Sequence, residues 1–295
     1  MKKHFLLFLL TALTLLNSCS KTDSVPEPFI PVTPPVIPPP VNPPASPENG
    51  SLFLGKPSGA TDNENNYNDY LVDEGYYALS YSRDRGIANW VSWHVSALDQ
   101  GPTPRQDDFR MNENLPANWY RPDYFNYTGY GFDRGHFCPS SDRTASVAAN
   151  SSTFLMTNIF PQAPYNNQVT WANLENYCRD LVAAGNELYI TAGAYGEGGT
   201  GTNGFATSID NGRITVPATL WKVIVVLPNG GNDLARITNS TRVIAVSMPN
   251  DNSTSNNWKI YRLPVNDIEN ATGYDLLNIL SESLQTELES RTDNL

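Results

Sequence analysis

Cysteine and histidine are the scarce residues of this chain. Cys19, Cys138 and Cys178 are its three cysteines and His4, His94 and His136 its three histidines, in 295 residues. So few cysteines cannot build a disulfide framework, and no Cys/His spacing suits a tetrahedral zinc site. Lysine is missing over a long interval, with none between Lys56 and Lys222. That gap and a net charge of −11 argue against a nucleic-acid binder that works through a broad basic surface. Long hydrophobic runs are lacking too. The apolar run from Phe5 to Leu16 is too short to span a bilayer comfortably.

What the N-terminus does contain is a positive start, that short apolar run and small residues at Asn17-Ser18-Cys19. The pattern predicts a secretory signal over residues 1–18. Leu16-Asn17-Ser18-Cys19 resembles the lipobox of bacterial lipoproteins, which implies a lipid on Cys19. Residues 19–50 turn Pro-rich ("PEPFIPVTPPVIPPPVNPPASP") and favour an extended, semi-rigid stalk. Residues 51–295 have the composition of one globular domain. The expectation is an exported domain, outside the cytoplasm, touching a bacterial membrane or cell surface only through its lipid. Loss of Lys2 and Lys3 with the signal takes the net charge from −11 to −13. Cys138 and Cys178 then remain, either as one disulfide or as two buried free thiols.

Within the domain, residues 76–82 and 88–98 alternate apolar and polar and predict a β-hairpin. In its second strand Trp90, Ser92 and His94 share one face, so His94 reads as a sheet residue rather than a catalyst. Residues 99–128 read as a long loop, of the kind that often carries function. Residues 152–162 predict a short buried strand, and 166–185 a helix stopped by Gly185. "ELYITAG", "ITVPATLWKVIVVL" and "TRVIAVSMP" predict strands, and "ATGYDLLNILSESLQTELES" a closing helix. The Gly-rich segment 193–204 lacks the ending of a phosphate loop and reads as a mobile surface loop. Many strands with few helices give an α+β fold with a mixed or antiparallel sheet.

Two pieces carry chemistry. The first is "GYGFDRGHFCPSSDR", residues 129–143, with Asp133, Arg134, Gly135 and His136 in a row. The second lies on the predicted helix, where Asn167, Trp171, Glu175 and Arg179 recur every fourth residue. Each such step turns about 40°, so the four share one broad face. Phosphodiester hydrolysis needs a base for the attacking water and cations against the charge on phosphorus. An imidazole with an ordinary pKa, as at His136, suits a base near neutrality. Asn167 offers a neutral oxygen to a hard ion such as Mg²⁺, and Glu175 can hold that ion's waters. Arg105, Arg134 and Arg179 are available for phosphate, since the guanidinium fork grips it in two places.

"DRGHFCPSSDR" followed by "TFLMTNIFPQAPYNNQVTWANLENYCR" resembles the DNA/RNA non-specific endonuclease family, among the His-Me-finger (ββα-metal) nucleases. The resemblance covers about residues 70–285. It implies a ββα-metal nuclease fold with a central, mostly antiparallel sheet flanked by helices, and DNA and RNA as substrates. By position it implies His136 as general base, Asn167 as the direct protein ligand of Mg²⁺ (Mn²⁺ or another divalent ion able to substitute) and Glu175 on the metal's waters. Asn158 would support the His and metal neighbourhood, and Asp133 would fix local structure. Gly135 would let the backbone pass close to the metal. Arg105 is the counterpart of the family's transition-state Arg, with Arg110 nearby as the alternative. Arg134 and Arg179 would contact phosphate, and the products would carry 5′-phosphate and 3′-hydroxyl ends. The acidic body suggests modest affinity for long duplexes and strong salt sensitivity. Two rival readings stay open: a metal phosphodiesterase of small substrates, and a non-catalytic nucleic-acid-binding surface lipoprotein. Oligomeric state has no signal in the sequence.

Overall fold

The structure, a computed structural model, describes residues 49–295. The leader, Cys19 and nearly all of the Pro-rich stretch lie outside the described residues. In chain order the strands are β1 (Tyr70–Asp73), β2 (Ala78–Ser82), β3 (Ile87–Val95), β4 (Asp133–His136), β5 (Ile159–Gln162), β6 (Asn186–Tyr195), β7 (Gly199–Gly201), β8 (Gly204–Ala206), β9 (Ser208–Ile209), β10 (Ile214–Thr215), β11 (Thr219–Pro228) and β12 (Arg242–Pro249). The helices are α1 (Val147–Ser152), α2 (Ala172–Ala183), α3 (Asp233–Arg236), α4 (Val265–Thr272) and α5 (Glu282–Glu289). Six strands form one antiparallel sheet in the order β1-β2-β3-β6-β11-β12.

Alternation along these strands fills both faces of the sheet, because each face is covered. Leu220, Ile224 and Val226 of β11, with Val91, Trp93 and Val95 of β3, pack toward Leu174, Cys178 and Val182 of α2. Trp221, Val223 and Val225 point the other way, toward Val265 and Ile268 of α4 and Leu288 of α5. Fully burying one such side chain contributes roughly 1.5–3 kcal/mol. The result is an α+β fold of three layers, with α2 and the β4–β5 pair on one face of the sheet and the C-terminal helices on the other.

Four expectations are corrected. Only Ile159–Gln162 of the strand predicted at 152–162 is a strand; Val147–Ser152 is helical and Met156–Asn158 a 3₁₀ turn. The segment pairs with the distant Arg110 for a single residue only. Arg110 accepts from the Met156 amide at 2.9 Å and donates its own to the Phe154 carbonyl at 3.2 Å, which pairs Leu155 with Arg110 in one isolated parallel bridge and extends no further into a ladder. Of the closing helix predicted at 271–290, only the last turn of α4, ended by Gly273 at φ +74°, and α5 are helical, and residues 273–281 between them are not. Leu276 and Leu277 bury without a helix. Pro217 divides the segment predicted as one strand into β10 and β11, since proline cannot donate to a ladder. The Gly-rich segment is the β7–β8 hairpin, and its Thr202 amide donates to the Gly131 carbonyl at 2.9 Å, docking it under the approach to β4.

Candidate active site

Strands β4 and β5 pair antiparallel, with Gly135 opposite Phe160 and His136 opposite Ile159. A Cβ on Gly135 would stand 2.1 Å from Gln162 Oε1 and 2.6 Å from its Cβ. The close approach that requires glycine is thus to Gln162 of the facing strand, where the expectation put it beside a metal. His136 ends β4 and is buried, its ring packed on Phe109 (5.5 Å between centroids) and edge-on to Phe154 (5.1 Å). Burial, and then the Arg105 guanidinium, push its pKa from the ordinary value down to about 3, against a hydrogen bond to the Arg134 backbone. A hydrogen bond that favours the charged ring is one the ring donates, which makes Nε2 the accepting nitrogen of the neutral form. Nε2 is buried and has no hydrogen-bond partner among the described residues. The ring is neutral near pH 7 and its acceptor is free.

The helix predicted at 166–185 forms, but it opens as a π turn over Asn166–Trp171 before α2 begins. Asn166 is buried, accepting from Gln162 Nε2 at 2.7 Å and donating to the Pro249 carbonyl at 3.0 Å, which anchors the wide turn. Turns of this kind are frequent at functional sites. Next in line, Asn167 donates its amide nitrogen to Asp133 Oδ2 at 2.8 Å, and Gln168 donates to the same oxygen at 2.8 Å. Asp133 therefore fixes which way the Asn167 amide faces. The Asn167 amide oxygen, on the other side of that group, accepts no hydrogen bond among the described residues.

Glu175 lies further along on α2, mostly buried, with Lys222 Nζ 3.8 Å from its Oε1. Burial raises its pKa to about 7, against Lys222, Arg179 and Arg105, while Asp142 adds to the rise. Arg105 thus acts electrostatically on both Glu175 and His136. It donates to Ser140 Oγ at 2.9 Å and to Asp107 at 2.6 Å, and lies 4.7 Å over the Phe154 ring that also packs on His136. Arg110 instead donates to the Ser151 carbonyl at 2.8 Å and pairs with Asp108 at 2.9 Å. Of the two arginines, Arg105 is the one at the site.

Arg179 pairs with Asp142 at 3.2 Å, and Asp142 accepts from the Trp93 indole at 3.1 Å, so it is positioned from the sheet. Arg134 reaches Tyr124, donating to its carbonyl at 3.2 and 3.0 Å. Asn158, expected among the catalytic group, is fully buried. Its side chain bonds only backbone: the Cys138 amide and carbonyl (2.9 and 2.8 Å) and the Thr153 carbonyl (2.9 Å). It is a positioning residue for the segment after His136. Cys138 and Cys178 are free, buried thiols and form no bridge here, and burial pushes both up to about 12. His94 is buried and bonds Glu187 at 3.2 Å, the sheet role expected of it.

Lys222 is the residue sequence reasoning missed. It is buried, with its ammonium 4.4 Å from the Trp171 ring and 5.3 Å from Trp93. The signal was one cation inside the apolar strand "TLWKVIVV", where alternation puts it on the α2 side of the sheet. Among the described residues no three or more His, Cys, Asp or Glu gather as a metal cage.

The β4–β5 pair followed by a helix, with a neutral buried His and an oriented Asn, has the arrangement of a ββα-metal nuclease. The DNA/RNA non-specific endonuclease family model matches residues 55–283, and the chain belongs to that family. It is similar to a nuclease from Nostoc, at 47% identity over 82% of this chain and 86% of the relative. It is similar also to nuclease C1 of Cunninghamella echinulata, at 31% identity over 73% of this chain and 85% of the relative. Among solved structures, a chain of an EndoG/EndoGI complex superposes with a TM-score of 0.64 at 21% identity, covering 79% of this chain and 92% of that one. That last likeness concerns the fold. The protein is a hydrolytic endonuclease acting on nucleic acid.

Proposed function

We propose that residues 51–295 form a Mg²⁺-dependent, sugar-non-specific endonuclease that cuts DNA and RNA to 5′-phosphate and 3′-hydroxyl ends. The observation that carries the reading is the buried, partnerless Nε2 of a neutral His136. Nε2 takes a proton from the attacking water, whose oxygen bonds to phosphorus as the bond to the 3′ oxygen breaks, and the leaving 3′ oxygen takes a proton from solvent water to become the 3′-hydroxyl. Arg105 sets a cation against the charge that builds on the phosphate. Asn167 and Glu175 fit a hard cation: one offers a free, oriented amide oxygen, the other a carboxylate able to hold its waters. When bound, Mg²⁺, or Mn²⁺ in its place, supplies charge stabilisation at phosphate and leaving oxygen. The domain works outside the cytoplasm, tethered through lipid on Cys19 and the stalk of residues 19–50. Digestion of plasmid and of long RNA, with Mg²⁺ and with chelator, tests the activity, and end-labelling of the products tests the cleavage sense. Cleavage that persists in chelator, or 3′-phosphate products, would overturn it. Mass spectrometry of the mature N-terminus tests the anchor, and an unlipidated terminus beyond residue 19 rejects it.

A further inference from the structure

Phe125 leaves 75% of its surface in solvent. A single exposed ring is ordinary; this one is set apart by what holds it and what it continues. Tyr124–Tyr127 is a 3₁₀ turn capped by Asp123, whose carboxylate accepts from the Tyr124 amide at 2.7 Å while Asn126 Oδ1 accepts from the Asp123 amide at 2.7 Å. Tyr127 buries its ring and donates to the Ile159 carbonyl of β5 at 3.2 Å. From β4, Arg134 clamps the Tyr124 carbonyl and donates to Thr128 Oγ1 at 3.2 Å. The turn is therefore fastened to both catalytic strands. Its rings also prolong a row that starts at the general base: His136–Phe109 at 5.5 Å, Phe109–Tyr124 at 6.2 Å and Tyr124–Phe125 at 5.3 Å. The Arg134 guanidinium sits 3.6 Å from the Tyr124 ring centre and has no carboxylate partner among the described residues.

We propose that Tyr124 and Phe125, with Arg134 beside them, form a shelf on which an unpaired base next to the scissile phosphate stacks. The enzyme then cuts single-stranded nucleic acid more efficiently than duplex. An aromatic face can stack only on a base whose own face is free, which duplex pairing and stacking deny. Every base has such a face, so the shelf tolerates any sequence, in keeping with a non-specific endonuclease. The capped, clamped turn holds the rings in place before substrate arrives, so little ordering entropy is lost on binding. Arg134 adds a cation for the adjoining phosphate. This inference rests on endonuclease activity at His136.

The test uses full-length protein carrying His136→Ala, with and without Phe125→Ala. Binding to a fluorescein-labelled oligothymidine and to a hairpin duplex is followed by anisotropy. Loss of the ring should weaken single-strand binding about tenfold, within the range measured for one stacked base, and at least several times more than duplex binding. Phe125→Trp should restore it. With His136 intact, kcat/KM on single strands should exceed that on duplex, and Phe125→Ala should narrow the ratio. Equal losses on both substrates, or no loss, overturn the shelf alone, since the unaltered enzyme still cuts. Light scattering that shows a changed oligomeric state in Phe125→Ala also overturns it, making the ring a contact between copies. Failure of the unaltered enzyme to cut either substrate overturns the endonuclease reading, and the shelf with it.

Discussion

At the scale of single residues, His136 separates what a side chain is by default from what its surroundings make it. An ordinary imidazole titrates near neutrality, whereas burial and Arg105 lower this one to about 3. Near neutral pH the ring is uncharged, as the base of the proposed reaction must be. His136→Ala should lower kcat by about 10²–10⁴-fold with substrate binding nearly intact, measured by single-turnover cleavage. NMR titration should show the His136 ring neutral down to about pH 4. The same shift bears on stability. Between pH 6.5 and about 3 the unfolded chain holds a proton on this ring that the folded chain does not. The stability is therefore complete above pH 6.5 and is lost as pH falls, at about 1.4 kcal/mol per unit from this group. Glu175, raised to about 7, has the opposite sign and adds stability as pH falls from 7 toward its ordinary value. Urea denaturation across this range should show wild type losing stability relative to His136→Gln as acid is added. A difference independent of pH would mean that the ring charges inside the fold.

At the scale of elements, the site is a short strand and a wide helical turn joined by one carboxylate. Asp133 holds the Asn167 nitrogen at 2.8 Å and so presents the oxygen. Asn167→Ala should raise the Mg²⁺ concentration needed for half-maximal cleavage, and Asp133→Ala should do so by about 10–100-fold because the amide is free to turn. The double variant should be little worse than Asn167→Ala alone, since both act through one oxygen. Additive losses in a Mg²⁺ titration would show that Asp133 works elsewhere. The motif was legible because its residues are neighbours in the chain, and Asn167 and Glu175 because they share a helix. The π turn was not legible, being anchored by the Pro249 carbonyl more than eighty residues away. Lys222 escaped for the same reason: its partner Glu175 belongs to another element. The C-terminal helix was drawn too long because Leu276 and Leu277 bury equally well in a turn.

At the scale of the whole molecule, an acidic protein must hold a polyanion with few cations, and their pairing decides how strongly salt matters. Arg110 is paired with Asp108, Arg121 with Glu113, Arg143 with Asp99 and Arg179 with Asp142, so the arginines around the motif are mostly neutralised from within. Arg105 is paired too, at 2.6 Å, but its partner Asp107 is an exposed carboxylate, a screened contact that a phosphate can replace; on the proposed reading Arg105 and Arg134, the latter with no carboxylate partner among the described residues, are the cations left for phosphate. On that reading the salt dependence is shallower than composition alone suggests. Two neutralised phosphates give a slope of about −1.8 in log K against log salt, hence a loss near tenfold between 50 and 200 mM. A basic track touching six or more phosphates would lose at least about 10³-fold over that range. Duplex binding by the His136→Ala protein, measured by anisotropy over these salt concentrations, should follow the shallow line. Arg134→Ala should flatten the slope by about one further unit. A steep slope unchanged in Arg134→Ala would place the phosphate contacts on a surface away from the β4–β5 pair, and the substrate would then approach His136 from another side.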